Sequence, residues 1–215
     1  MDLFSFFFDF LLHLDVYLGA ILQAFGVWAY GVLFLVVFCE TGLVFLPFLP
    51  GDSLLFVAGS FSAIGSLDVW LLFAVFSVAA ILGDTVNYWL GSFFGKKIFK
   101  EKFFFLKKEH FEAAQKFYEK HGGKTIILAR FLPIVRTFAP FVAGVAQMKY
   151  WHFATYNVIG GLLWVALFVF GGYFFGNMPF VKENFSLVII AIILVSLLPA
   201  AIGLVRHKLR KHKQT

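Results

Sequence analysis

Long apolar runs separated by short polar stretches are the main pattern along this chain. A helix needs about 20 apolar residues to cross a bilayer, and three uninterrupted runs reach that length. The transmembrane helices that they predict cover residues 67–95, 150–176 and 184–205. A further apolar run near the start is interrupted by Gly26 and Gly31. Residues 1–31 are therefore expected to form a helix that lies either in the membrane or at its surface.

Two other apolar runs, residues 32–64 and 125–148, contain the prolines and charges that a plain spanning helix avoids. Proline removes a backbone donor and clashes with the preceding turn, so we expect each run to enter the membrane and return as a re-entrant hairpin. The residues expected to break the two helices are Pro47, Pro50, Gly51, Pro133 and Pro140. Because irregular backbone at membrane depth must be covered by protein or by a wet cavity, the two tips should be buried against each other.

The two broken segments form part of an internal repeat. The sequence FLP begins at Phe48 and again at Phe131, an offset of 83 residues, and FVAG begins at Phe56 and Phe141, an offset of 85. A hairpin makes no net crossing and the helix after it makes one, so the second unit starts from the opposite side of the membrane. We predict an all-α integral membrane protein built as an inverted repeat of re-entrant hairpin plus transmembrane helix, with an extra C-terminal transmembrane helix. Secondary transporters have this architecture.

Composition and charge placement agree with a membrane protein and indicate its orientation. Hydrophobic residues make up 61% of the chain and charged residues only 14%, far from the average of soluble domains. No Lys or Arg precedes Lys96, nine lie within 96–124, and five lie within the tail 206–215. By the positive-inside rule both basic segments are cytoplasmic. Since acidic residues alternate with basic ones in 96–124, we expect a cytoplasmic amphipathic linker there rather than a nucleic-acid-binding segment.

Four charged side chains fall within the broken segments. Glu40 and Asp52 belong to the first, and Arg130 and Arg136 belong to the second. An unpaired charge at the bilayer centre costs about 2.5–3.5 kcal/mol on insertion scales, so these groups must be compensated. Permanent ion pairs that hold the two tips together are one interpretation. A working site is favoured, because buried ion pairs seldom stabilise a fold more than apolar residues of equal volume.

The chemistry of these side chains predicts different roles for acids and arginines. The planar guanidinium groups of Arg130 and Arg136 suit the phosphate of an anionic membrane lipid. Glu40 and Asp52 can take up and release protons, which makes them candidate coupling groups. The sequence leaves sodium open as the alternative coupling ion.

Other polar residues give weaker signals. Asp84 and Asn87 share a helix face that we expect to point into the bundle, where they are candidate supporting partners of the four charged side chains. A water-exposed position near the interface is the alternative for Asp84. Gly91 and Gly95 form a GxxxG motif, typical of close helix packing. The single cysteine and the scattered histidines indicate no metal site, nothing indicates a cofactor, and no nucleophile and base are spaced as in an enzyme.

The motifs resemble those of the DedA family, also called the SNARE-associated or VTT-domain family. The resemblance rests on ETGLVFLPFLPGDSLL, GDTVNYWLG and ARFLPIVRTFAPFVAG and covers most of the chain. It implies a bacterial inner-membrane protein with two facing re-entrant hairpins, tied to envelope maintenance and the proton motive force. Family members are implicated in returning undecaprenyl phosphate or phospholipid across the membrane. By motif position, the family's essential acids fall on Glu40 and Asp52 and its essential arginines on Arg130 and Arg136.

Three hypotheses of function remain, because substrate does not transfer with fold. The first is a proton-coupled translocase of an anionic lipid, in which the arginines hold the head group and the acids couple its movement to protons. The second is a proton-coupled antiporter for a cation or small solute. The third is a non-transporting scaffold for an envelope enzyme. The sequence leaves the oligomeric state open.

Overall fold

The structure of this chain is a computed structural model. It describes residues 14–43, 51–100 and 122–184, together with 187, 188, 190 and 191. Several predictions lie outside the described residues, namely those for Pro47, Pro50, residues 1–13, most of the linker 96–124, most of the helix 184–205 and the tail 206–215. Within the described ranges the secondary structure is helical and contains no strand, in agreement with the predicted all-α class.

The helices follow the chain in a simple order. They are α1 (Leu14–Phe25), α2 (Ala29–Gly42), α3 (Gly51–Ala63), α4 (Val69–Lys100), α5 (Lys124–Ala129), α6 (Pro133–Val145), α7 (Tyr150–Phe175) and α8 (Pro179–Glu183). A short 3-10 turn, Gly26–Trp28, joins α1 to α2.

Three stretches in the described part of the chain are long and apolar enough to cross a bilayer. They are Val16–Gly42, Val69–Phe94 and Tyr150–Phe175. The last two coincide with predicted transmembrane helices. The first runs across the boundary that we placed between residues 31 and 32. Its interruption lies at Gly26, which adopts a φ of 52°, a conformation that glycine reaches without steric cost, whereas Gly31 continues inside α2.

Both proline-containing segments are interrupted, but not at every residue expected to break them. In the first, α2 ends at Gly42 and α3 begins at Gly51. In the second, α6 begins at Pro133, where proline fits because the first turn of a helix does not use its N–H. The prediction that Pro140 breaks the helix is wrong, since α6 continues through it. The proline removes the single hydrogen bond that its N–H would donate, and close packing of the residues beside it holds the helix in place.

That packing comes from the repeated FVAG sequence, which makes the same kind of contact in both units. Helix α3 packs on α7, and α6 packs on α4, so each short helix lies against the long helix of the other unit. A Cβ on Gly59 would collide with the carbonyl oxygen of Val169, and one on Gly144 would collide with that of Tyr88. Both FVAG glycines therefore allow backbone to approach backbone.

Glycines of the long helices make the matching close contacts with the short helices. A Cβ on Gly172 would collide with the carbonyl oxygen of Phe56, the first residue of one FVAG, and a Cβ on Gly91 with that of Phe141, the first residue of the other. For Gly91 the close packing predicted from GxxxG is therefore present. The two short-to-long helix contacts are reciprocal and alike.

The long helices α4 and α7 contact each other through aromatic side chains instead. Trp70 and Phe73 meet Phe170 at centroid distances of 5.4 and 5.6 Å. Further along, Tyr88 stacks on Phe153 at 4.5 Å. Because low-numbered residues of α4 meet high-numbered residues of α7, the two helices run antiparallel. The buried residues Asp84 and Asn87 of α4 and Asn157 of α7 fall between these two aromatic contacts in the sequence.

Candidate functional site

Five charged side chains in the described ranges are buried, and they form two groups. Each is less than a tenth exposed. They are Glu40, Asp52, Asp84, Arg130 and Arg136. Buried charges need partners of opposite sign and hydrogen bonds to offset the loss of hydration. The structure supplies these partners differently to the two arginines.

Arg136 binds both acids of the first broken segment. Its Nη1 donates to Asp52 Oδ1 at 2.5 Å, and its Nη2 donates to Glu40 Oε1. Glu40 lies in the last turn of α2, Asp52 lies in the first turn of α3, and Arg136 lies near the start of α6. The breaks in the two segments thus place three helix ends together. With both acids ionised, this group carries one negative charge in excess.

Two further contacts fix the carboxylates. The backbone N–H of Gly51 donates to Glu40 Oε1 at 3.1 Å, and a Cβ at position 51 would collide with that carboxylate. Trp164 Nε1 donates to Asp52 Oδ1 at 2.8 Å. The Trp164 ring also lies 5.1 Å from the guanidinium carbon of Arg136, within the range of a cation–π interaction. Glu40, Asp52, Arg136 and Trp164 are called the Arg136 cluster below.

Arg130 has a different acid. Its Nη2 donates to Asp84 Oδ2 at 2.5 Å and to Asn157 Oδ1. Gly160 and Gly161 on α7 leave room for this side chain, since a Cβ on either would lie within 3.6 Å of Arg130 atoms. Arg130, Asp84 and Asn157 are called the Arg130 cluster. It contains one positive and one negative charge and is balanced.

The structure therefore brings together Glu40, Asp52 and Arg136, while Arg130 is paired with Asp84. Asp84 and Asn87 lie on a buried face of α4. Sequence reasoning assigned no role to Asn157 or Trp164. Both lie in a mostly apolar spanning helix, seven residues apart and thus on one face. A buried polar side chain in such a helix is a signal for a functional site.

Asn87 connects the two broken segments through backbone carbonyls rather than through the charged side chains. Its Nδ2 donates to the carbonyl oxygens of Thr41, at 3.2 Å, and Thr137, at 2.7 Å. Thr41 directly follows Glu40 in the chain, and Thr137 directly follows Arg136. One amide thus holds the backbone next to both members of an ion pair.

Some buried polar atoms in and beside the two clusters have no hydrogen-bond partner among the described residues. Within the described residues, buried atoms that lack a hydrogen-bond partner include Glu40 Oε2, Asn87 Oδ1, Arg130 Nε and Arg136 Nε. Buried polar atoms normally have a partner, so these two acceptors and two donors are exceptions among the described residues. No group of three acidic, histidine or cysteine side chains in these ranges is arranged to hold a metal ion.

Comparison with known proteins identifies relatives along nearly the whole chain. The VTT domain family matches residues 49–174. Protein DedA of Escherichia coli K12 is 55% identical over 213 residues, which cover 97% of this chain and 96% of the relative. An uncharacterized membrane protein of Mycobacterium leprae is 45% identical over 169 residues, covering 78% and 76% of the two chains. The inner membrane protein YghB of E. coli K12 is 36% identical over 156 residues, covering 72% and 71%.

A comparison with solved structures finds no match. The sequence comparisons confirm the resemblance drawn from the motifs around Glu40, Asp52, Arg130 and Arg136. With its apolar helices and buried charges, the chain belongs to the VTT-domain, or DedA, family of membrane proteins.

Proposed function

We propose that this protein translocates an anionic lipid, such as undecaprenyl phosphate or a phospholipid, across the bacterial inner membrane in exchange with or together with protons. The observation that best supports the proposal is the Arg136 cluster, in which a buried guanidinium is held by Glu40 and Asp52. A phosphate binds arginine in the same forked geometry as a carboxylate. The acids and a lipid phosphate would therefore compete for the same N–H donors.

The proposed architecture is an inverted repeat of two re-entrant hairpins, each followed by a transmembrane helix, with the C-terminus in the cytoplasm. The interruptions before Gly51 and Pro133 support the hairpins. The reciprocal contacts of the two FVAG sequences support the repeat. Alternating access then needs one half to move relative to the other, about a site at their junction.

Proton coupling follows from the competition for Arg136. When Glu40 and Asp52 are ionised, they occupy its two terminal nitrogens. Protonation removes their negative charge and weakens their hold, which frees the guanidinium for phosphate. Moving a monoanion across 100 mV involves about 2.3 kcal/mol, and an accompanying proton cancels this electrical work. Arg130 would contribute a second contact to the phosphate after release from Asp84.

The direct test is a lipid-movement assay in vesicles that contain the purified protein. A fluorescent polyprenyl phosphate or phospholipid is followed across the bilayer with a pH gradient, with a sodium gradient, and with neither. We expect the protein to accelerate movement and the pH gradient to drive it further. Arg136→Gln should abolish the acceleration. Lys149→Gln, which removes an exposed positive charge, is the matched control and should behave as the wild type.

Equal rates in vesicles with and without protein contradict the proposal.

The second hypothesis, a proton-coupled antiporter for a cation or small solute, is favoured by one observation: Arg136 already has two carboxylate partners. In that case the acids carry the exchanging ions and the arginine is their fixed counter-charge. A pH probe inside the vesicles would then report solute-dependent proton flux without lipid movement, and Glu40→Gln would impair it more than the arginine substitutions.

A further inference from the structure

The amide of Asn87 joins three helices at the point where the two broken segments meet. The side chain belongs to α4, and its two hydrogen bonds reach the end of α2 and the first half of α6. Asn87 is 0% exposed, so water outside the protein cannot replace these bonds. An amide nitrogen carries two N–H groups, and here each has a carbonyl acceptor.

The carbonyl of Thr41 depends on such a donor. It lies in the last turn of α2, which ends at Gly42, and the last carbonyls of a helix have no partner within the helix. A buried carbonyl without a partner costs about 1–3 kcal/mol. Asn87 thus satisfies this carbonyl and ties the residue after Glu40 to α4.

Helices α2 and α6 both approach α4 closely near Asn87, so α4 can hold the two helices in position. A Cβ on Gly42 would lie 3.4 Å from the backbone of Gly83, and a Cβ on Gly91 would collide with the backbone of Phe141. The end of α2 and the middle of α6 therefore rest on α4 on either side of Asn87. In this arrangement the Asn87 amide bridges the two backbones between these close contacts.

We propose that Asn87 is a positioning residue that sets the geometry of the Glu40–Arg136 ion pair. It acts through the backbone of Thr41 and Thr137, each one residue away from a charged member of the pair. The proposal deepens the proposed function and, for its transport readout, rests on it. A site of this kind must be held to within about 0.5 Å to work. Loss of the amide lets Arg136 shift relative to both acids.

The unpartnered Oδ1 of Asn87 distinguishes this side chain from a simple packing residue. Its Nδ2 has two acceptors, but Oδ1 is buried with no donor among the described residues. The same is true of Glu40 Oε2 and Arg136 Nε. Asn87 therefore belongs to the group of side chains with open hydrogen-bonding atoms and not to the apolar core.

The first experiment compares two substitutions with a matched control in the vesicle assay. Asn87→Asp keeps the shape but, when ionised, turns an acceptor toward two carbonyls, and Asn87→Ala removes the bonds without repulsion. Asn177→Asp is the control, because Asn177 Nδ2 also donates to a backbone carbonyl, that of Ser60, at 3.1 Å, away from both clusters. The mole fraction of fluorescent lipid phosphate is varied to obtain KM and the maximal rate.

We expect Asn87→Ala to raise KM about tenfold and Asn87→Asp to raise it further, with the control within about twofold of the wild type. A residue that only supports folding would lower the maximal rate in proportion to the folded protein lost and leave KM unchanged. That result, or equal effects of Asn87→Asp and Asn177→Asp, would overturn the proposal.

A second measurement does not depend on transport. The free energies of unfolding of Asn87→Ala, Glu40→Gln and the double variant form a cycle, and coupled residues give an interaction energy that independent residues lack. We expect the double variant to lose less stability than the sum of the single losses. The cycle of Asn177→Ala with Glu40→Gln should be additive. Additivity in the Asn87 cycle refutes its positioning role, whereas a wild type that moves no lipid refutes the proposed function alone.

Discussion

The two buried arginines of this protein have different partners. Arg136 has two carboxylates and the face of Trp164, so its cluster has an excess of negative charge. Arg130 has one carboxylate and one amide oxygen, so its cluster is balanced. A balanced pair is stable without an added ion. Uptake of one proton would balance the charges of the Arg136 cluster, so under the proposed function proton exchange is expected there.

The largest effect should follow from removing the arginine with two acids. Arg136→Gln leaves both Glu40 and Asp52 buried without their cation. Breaking a buried ion pair by removing one partner costs about 3–5 kcal/mol, so we expect a loss in this range, measured by denaturation in detergent, together with complete loss of transport.

Neutralising the two acids separates the loss of stability from the loss of transport. In the Arg136→Gln background, Glu40→Gln and Asp52→Asn remove the unpaired charges and should restore most of the stability. Transport should stay absent, because Arg136, the proposed main ligand of the phosphate, is gone and Arg130 alone remains. If Arg136→Gln alone has wild-type stability, the acids do not depend on this arginine and the contrast between the clusters is lost.

The next largest effect should come from the balanced cluster. Arg130→Gln leaves only Asp84 unpaired, and Asn157 remains as a polar neighbour. We expect a loss of about 3 kcal/mol, at the lower end for a broken buried pair, and full recovery of the melting temperature when Asp84→Asn is added.

The transport rate of this double variant then decides the role of Arg130. If the Arg130→Gln, Asp84→Asn protein moves lipid at the wild-type rate, the cluster is a permanent structural pair and Arg130 is not a phosphate ligand. If stability recovers and transport does not, Arg130 takes part in binding, as proposed.

The sequence predicted the members of these clusters better than their pairing. Charge inside an apolar segment is costly wherever it occurs, so Glu40, Asp52, Arg130 and Arg136 stand out without a structure. Which acid meets which arginine depends on the rotation of each helix about its axis. Short segments interrupted by proline have no long periodic pattern from which that rotation could be read. Asp84 was therefore recognised only as an inward-facing candidate partner of the charged residues, and its specific pairing with Arg130 was not predicted.

The positions of the helices, like the membership of the clusters, could be predicted from the sequence only in part. Long uniform runs identified both long helices, because length alone identifies a spanning helix. The bounds of α7 were predicted to within one residue, whereas α4 continues to Lys100, five residues past the predicted end at 95. The local effect of a proline depends on what surrounds it. Pro133 starts a helix, while Pro140 remains inside the same helix, where the neighbouring FVAG sequence is packed against α4.

A smaller effect is expected at the contacts that place the clusters. Gly172→Ala should lower stability by about 2–3 kcal/mol, the cost of forcing extra volume into a closely packed contact, because its Cβ would collide with the carbonyl of Phe56. Gly171→Ala is the matched control, since its Cβ would make only ordinary contacts at 3.9 Å or more. Melting temperatures of both variants in detergent provide the measurement.

The same substitution in the other unit tests whether the two halves are alike. Gly91→Ala should destabilise the protein as much as Gly172→Ala, because its Cβ would meet the carbonyl of Phe141 in the same way. A large loss at one position and none at the other would show that the two contacts are not equivalent and would weaken the proposed repeat.

The smallest effect should come from Trp164→Phe, which changes the Arg136 cluster without removing a charge. The substitution removes the N–H that Trp164 donates to Asp52, but Asp52 keeps its bond to Arg136, and a phenyl ring keeps part of the cation–π attraction. We expect a loss of about 1 kcal/mol, the net value of one hydrogen bond. Trp70→Phe, at an exposed tryptophan of α4, is the control for changing the residue type. Lipid movement should persist in Trp164→Phe, because Arg136 and both acids remain. Loss of transport as complete as in Arg136→Gln would instead mean that Trp164 itself contacts the lipid, and the difference between the two arginines would no longer rest on charge alone.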